Sequence, residues 1–141
     1  MTKVTTDDWV AISDHLGRYC WFVDEGMGEE WAALWEPEGV FIGVTPEPIK
    51  GRAALSFVST STYEQLKGRL RHIAANLHAD YADGTRDIVH ARYYNYVSRW
   101  DDTPGNFTFA ICRMTLVRDG DGWLIRENNV ELFAPPLQVA Q

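Results

Sequence analysis

"RYCWFVDEG", residues 18–26, runs five apolar or aromatic residues, Tyr19 to Val23, straight into two acids and a glycine. Backwards from Gly26, the residues Val23, Cys20, Tyr19, Leu16, Ile12 and Trp9 recur at spacings of three and four. That spacing predicts one apolar face of a helix ending near Gly26. Thr5 or Thr6, followed by Asp7 and Asp8, supplies the N-terminus, with a capping box available from Thr5 to Asp8. The other end is the anomaly. Asp24 and Glu25 sit at the negative pole of the helix, where an exposed acid costs roughly 0.3–1 kcal/mol and a Lys or Arg would stabilise. Left in solvent, Asp24 is an ordinary helix-end acid. Turned inward behind Trp21, Phe22 and Val23 it needs a partner, because desolvation disfavours a bare carboxylate. A histidine would meet that need, since a carboxylate fixes the imidazole tautomer and stabilises the imidazolium once it has taken a proton.

Beyond Gly26, "EEWAALW" predicts a short helix and "GVFIGV" a strand broken by "TPEP". The pattern is helical again from Arg52 to about Arg71, with "STST" as the place where it could be interrupted. After His72 the texture changes. "NLHADYAD" alternates weakly, whereas "DIVHARYYNYVSRW" and "NFTFAICRMTLVRD" are long and rich in aromatic and β-branched residues. "DDTPGN" joins those two, and "GDG" turns the chain into a last strand, "WLIRENNVELF". Linkers this short favour antiparallel meander connections. Helices in the first half and strands in the second read as α+β. No repeat, low-complexity tract or linker divides residues 1–141. Helices burying one face on a bent sheet form a cone with a cavity at its mouth, where small molecules bind.

Composition removes several partner classes. A hydrophobic fraction of 45% with 13% aromatic residues supports a packed core. Thirteen basic against twenty acidic residues give a net charge of −7, and no basic stripe appears. The best basic cluster, "LKGRLRH", reads as helix-end charge, so no nucleic-acid partner is expected. Cys20 and Cys112 lie far apart in apolar patterns and read as buried, reduced thiols of a cytoplasmic protein. No apolar run approaches the ~18 residues that span a bilayer, and "MTKVTTDDW" does not resemble a secretory signal, so no membrane association is expected.

GxSxG, HExxH, P-loop and strand-following GxGxxG motifs are all missing. Of the four histidines, His15 on the first helix is expected to be exposed, while His78 and His90 on strands serve local hydrogen bonds. No pair has i, i+4 spacing and no cysteine joins them, so no metal is expected. His72 stands at the junction of the long helix with the first long strand. It reads either as a helix-terminal imidazole or as a side chain pointing along the sheet into a cavity.

The order and spacing of "RYCWFVDEG", "WAALWEPEGVFIG", "KGRAAL", "RHIAAN" and "DGWLIRENNV" resemble the SnoaL-like branch of the nuclear transport factor 2-like superfamily over nearly the whole chain. The resemblance implies one SnoaL-like domain: a cone-shaped α+β barrel whose N-terminal helices pack on a strongly curved mixed or antiparallel sheet enclosing a cavity. Within the superfamily the chain is similar to cofactor-free lyases, namely scytalone dehydratase, bile acid 7α-dehydratase and hexachlorocyclohexane dehydrochlorinase. These use an Asp on the first helix and a His opening the strand region, positions occupied here by Asp24 and His72. Tyr19 matches the tyrosine of the bile acid dehydratase-like enzymes. Dehydrochlorinase-like enzymes carry a Lys at Tyr19 and an Arg where Asn128 aligns, with Arg126 two residues earlier, which argues against dehalogenation. A second histidine of scytalone dehydratase-like sites falls in "YYNYVS", where Tyr94 or Tyr96 could substitute. The resemblance thus implies a dehydratase-type β-elimination on a hydrophobic cyclic molecule, with His72, Asp24 and Tyr19 catalytic, Arg126, Asn128, Tyr94 and Tyr96 binding substrate, and no cofactor. A polyketide cyclase or isomerase on the same scaffold, or a non-catalytic binding protein, are the alternatives, and a homo-oligomer, dimer or trimer, is implied.

Overall fold

In the computed structural model, which describes residues 2–134, Thr5 opens the first helix, α1 (Thr6–Asp24), its hydroxyl accepting the Asp8 N–H at 3.2 Å. The reciprocal half of the capping box is supplied differently. The Thr5 N–H donates to the Tyr81 hydroxyl, and the Asp8 carboxylate pairs with Tyr81 and Arg118. Met1 and residues 135–141, included in the 1–141 domain expectation, lie outside the described residues. The buried face of α1 is Ile12, Leu16, Tyr19, Cys20, Val23 and Asp24, leaving Trp21 64% exposed on the other side.

A short α2 (Gly28–Ala32) leads into β2 (Trp35–Ile42), and α3 (Arg52–Leu66) follows a two-residue strand, β3 (Ile49–Lys50). Helix α3 runs unbroken through "STST", where Ser59 is fully buried and donates to the Phe22 and Val23 carbonyls at 3.0 and 3.3 Å. It stops short of the expected end at Arg71. Lys67 and Gly68 both take left-handed conformations, with φ of 54° and 67°. The Gly68 N–H then closes the last turn on the Tyr63 carbonyl, as left-handed helix ends do. That stop makes His72 the third residue of a strand, so it is not a helix terminus.

The remaining strands are β1 (Thr2–Lys3), β4 (Leu70–Tyr81), β5 (Ile88–Arg99), β6 (Gly105–Asp119) and β7 (Gly122–Ala134). They form one sheet in the order β1-β4-β5-β6-β7-β2-β3. Strands β4 to β7 are the expected antiparallel meander. Strand β2 joins β7 in parallel, which makes the sheet mixed. Bulges bend it. In β4 the register shifts between Ala75 and His78, with Asn76 at φ 57°, so the inward residues change from His72 and Ala74 to Leu77, Ala79 and Tyr81. The helices cover the concave face over a core that includes Trp31, Trp35, Leu55, Val89 and Ile125, all fully buried. Among the described residues no helix is long and apolar enough to cross a membrane.

Candidate active site

Asp24, 6% exposed, is held by the strand that begins after α3. One carboxylate oxygen lies 2.5 Å from His72 Nδ1 and the other accepts the His72 backbone N–H at 2.8 Å. The acid therefore grips both the ring and the main chain of one residue. Arg71, the preceding residue, supplies the cation that α1 lacks in its last turn: it donates to the Asp24 carbonyl at 3.2 Å and pairs with Glu25 at 3.2 Å. With Ser59 on the carbonyls of Phe22 and Val23, the C-terminal pole of α1 is satisfied from outside the helix.

His72 forms part of the wall of a cavity of ≈ 470 Å³ between the helices and the concave sheet. Its Nδ1 is taken by Asp24, and no described residue bonds Nε2. Apolar side chains dominate the rest of the wall, among them Val23, Phe41, Phe57, Val58, Leu66 and Val97. Neutral His72 in this setting, with Nδ1–H donated to the carboxylate, carries a lone pair on Nε2 and can act as a base.

Tyr19, 3% exposed, reaches the same cavity from α1. Its oxygen accepts from the Asn128 amide at 3.0 Å, and the same amide nitrogen donates to the Tyr93 hydroxyl at 3.0 Å. Burial pushes both phenols well above the usual tyrosine range, so both stay protonated. Because Asn128 uses the Tyr19 oxygen as an acceptor, the phenolic proton is left to donate elsewhere. Trp31 and Trp35 fix the ring, with centroids 5.3 and 6.1 Å from that of Tyr19.

The other residues singled out in the sequence are placed differently. Asn128 is fully buried behind Tyr19 and is not in the cavity wall. Arg126 stands on the opposite face, paired with Glu36 at 2.8 Å, although alternation would have put it beside Asn128. A bulge separates them. Leu116 pairs Ile125 while Thr115 pairs Glu127, so the inward parity changes from Trp123 and Ile125 to Asn128 and Val130. Tyr94 and Tyr96 are 44% and 37% exposed on the outer sheet face, where Tyr94 packs on Phe109. The inward residues of β5 are their neighbours Tyr93, Asn95 and Val97. Sequence reasoning passes over Tyr93 and Asn95, yet a signal exists. His90 and Arg92 share the parity of Tyr94 and Tyr96, and charge on that parity marks it as the solvent side.

His15 is half-buried, not exposed, with Nε2–H directed at the Leu34 carbonyl at 3.0 Å, and burial lowers its pKa. His78 and His90 are exposed on strands. Cys20 and Cys112 are free and buried, with pKa values pushed up to about 12 and about 11 by desolvation. Neither is a thiolate at neutral pH. No group of three or more His, Cys, Asp or Glu side chains able to hold a metal occurs among the described residues.

The sequence profile of the SnoaL-like domain matches residues 4–129. The chain belongs to that family. No curated protein matches it. The SnoaL-like chain is similar to an NTF2-like protein with a cystatin-like fold from Novosphingobium aromaticivorans: 25% identity, 89% of this chain and 82% of that one, TM-score 0.79. A Catenulispora acidiphila structure in complex with S-DNPA is 28% identical over 88% of this chain and 92% of its own, TM-score 0.73. ActVI-ORFA from Streptomyces coelicolor shares the fold at 20% identity, covering 89% and 97% of the two chains, TM-score 0.77. The cone of helices on a curved mixed sheet is thus the NTF2-like architecture.

Proposed function

We propose that this SnoaL-like protein is a lyase that eliminates water from a hydrophobic cyclic substrate and needs no cofactor for that step. The observation that carries the proposal is the Asp24 carboxylate on both Nδ1 and the backbone N–H of His72, in the wall of a largely apolar cavity. In the proposed step, His72 Nε2 takes a proton from the carbon between a carbonyl and a hydroxyl-bearing carbon. The electron pair of the broken C–H bond forms the new C=C bond as the C–O bond breaks. The departing hydroxide receives the proton back from the imidazolium and leaves as water. Asp24 offsets the imidazolium charge, and the Tyr19 O–H donates to the oxygen that gains charge. The S-DNPA complex of the Catenulispora relative supports small-molecule binding by this scaffold.

The test is turnover of a panel of fused-ring β-hydroxy ketones, read by the rise of conjugated-enone absorbance. Activity is expected in the wild type and its loss in His72→Ala and Asp24→Asn; equal turnover in all three would reject the dyad. Isomerase or cyclase chemistry on the same groups is separated by running the reaction in deuterium oxide, where deuterium incorporation without loss of water favours isomerisation. Exposed aromatic residues on the outer sheet favour an additional association role. Tyr94, Tyr96, Phe109 and Phe133 lie near one another there, and we propose that this face pairs with a second copy of the chain.

A further inference from the structure

Asn95 is 7% exposed, lies in the cavity wall, and its Oδ1 is buried with no hydrogen-bond partner among the described residues. The Asn95 side chain acts on Cys112, two positions along on the adjacent strand, where it lowers the thiol's pKa as an amide N–H facing the sulfur would. Direct cross-strand neighbours do not cover the oxygen: Asn95 pairs with Ala74 on one side and Ala110 on the other, both too small to reach it. An unpaired acceptor in an apolar wall carries its full desolvation penalty until a donor arrives. Strand register also sets its distance from the base. His72 pairs Val97 and Ala74 pairs Asn95, so His72 and Asn95 are diagonal neighbours on one face. Diagonal neighbours have Cβ atoms roughly 7 Å apart, about one ring's width.

We propose that Asn95 is a specificity-determining residue whose Oδ1 accepts a hydrogen bond from a hydroxyl of a ring-shaped ligand lying against His72. The proposal deepens the lyase reading by naming the substrate class, a hydroxylated cyclic compound, but its test requires no turnover. A purely apolar ring leaves Oδ1 unsatisfied and is rejected; a ring with a hydroxyl at the right edge is selected.

The probes are 2-naphthol and 2-methylnaphthalene, matched in shape and differing in the donor, titrated by protein-observed NMR. Wild type is expected to bind 2-naphthol about tenfold more tightly, and Asn95→Leu, which has the same branching and no polar atom, to bring the ratio close to one. Asn95→Val, a strand-favouring change, is expected to do the same, which covers the case in which the leucine variant fails to fold. His72→Ala should keep the preference. The proposal is overturned if the ratio survives in both Asn95 variants, if it collapses in His72→Ala instead, or if wild type binds neither probe. A failed lyase reading gives a different signature, namely the same binding preference with no turnover that depends on His72.

Discussion

Replacing Asp24 by Asn keeps the side-chain volume but removes the charge that offsets a protonated His72. Loss of positioned proton transfer of this kind is worth about 10²–10⁴ in rate. Asp24→Asn and His72→Ala are each expected to lose that much turnover on a responsive β-hydroxy ketone while circular dichroism stays native; turnover within a few-fold of wild type would remove them from the chemistry. Tyr19→Phe deletes one donor and little volume, so kcat is expected to fall about ten- to a hundredfold with KM little changed. A rise in KM alone would instead mark Tyr19 as a binding group. Asp24 and His72 are legible in sequence because each breaks a local rule, one as an acid at the wrong helix pole and the other as an imidazole where texture changes. Tyr93 and Asn95 are harder to find because the aromatic weight of Tyr94 and Tyr96 hides the parity of His90 and Arg92. Asn128 is legible for the wrong contact: it orients Tyr19 from behind and leaves the cavity to others.

Helix α1 is latched at each end by groups from distant elements, and its stability should report on them. Thr5→Ala removes the hydroxyl that accepts the Asp8 N–H. That loss is expected to cost about 1 kcal/mol in denaturant unfolding. Near the middle, burial lowers the His15 pKa beneath its ordinary value of 6.5, so the folded protein holds the ring neutral against the Leu34 carbonyl. The unfolded chain binds the extra proton first. His15's contribution is therefore fully present above pH 6.5 and is lost as pH falls through that value toward the folded pKa. His15→Gln is expected to flatten the decline in melting temperature between about pH 7 and about pH 5 relative to wild type; an unchanged decline would assign it to other groups. The start of α1 is readable from "TTDD", and its end from Gly26. The end of α3 is overrun because Leu70, Arg71 and His72 continue a helical pattern, and only the left-handed Lys67–Gly68 pair stops it.

For the molecule as a whole, fold class and the meander of β4 to β7 follow from alternation and short turns. The parallel seam of β2 on β7 does not, since it joins segments far apart in the chain (Trp35 pairs Ile125) and no local pattern encodes it. Nor are the bulges legible, and they decide which side chains of β4 and β7 face inward. That is why Arg126 and Asn128, two residues apart, stand on opposite faces. The outer face carries exposed Tyr94 and Phe133, 44% and 59% accessible. The double variant Tyr94→Glu, Phe133→Glu is expected to reduce the mass measured by light scattering to that of one chain. A wild type already monomeric would contradict pairing through that sheet. At the centre of the structure stands the grip of Asp24 on His72, and the most direct measurement of it is the ring's nitrogen state by long-range proton–nitrogen NMR. For the neutral ring the expected result is a proton on Nδ1 and a bare Nε2, with that preference lost in Asp24→Asn; a neutral ring that carries its proton on Nε2 in the wild type would contradict it.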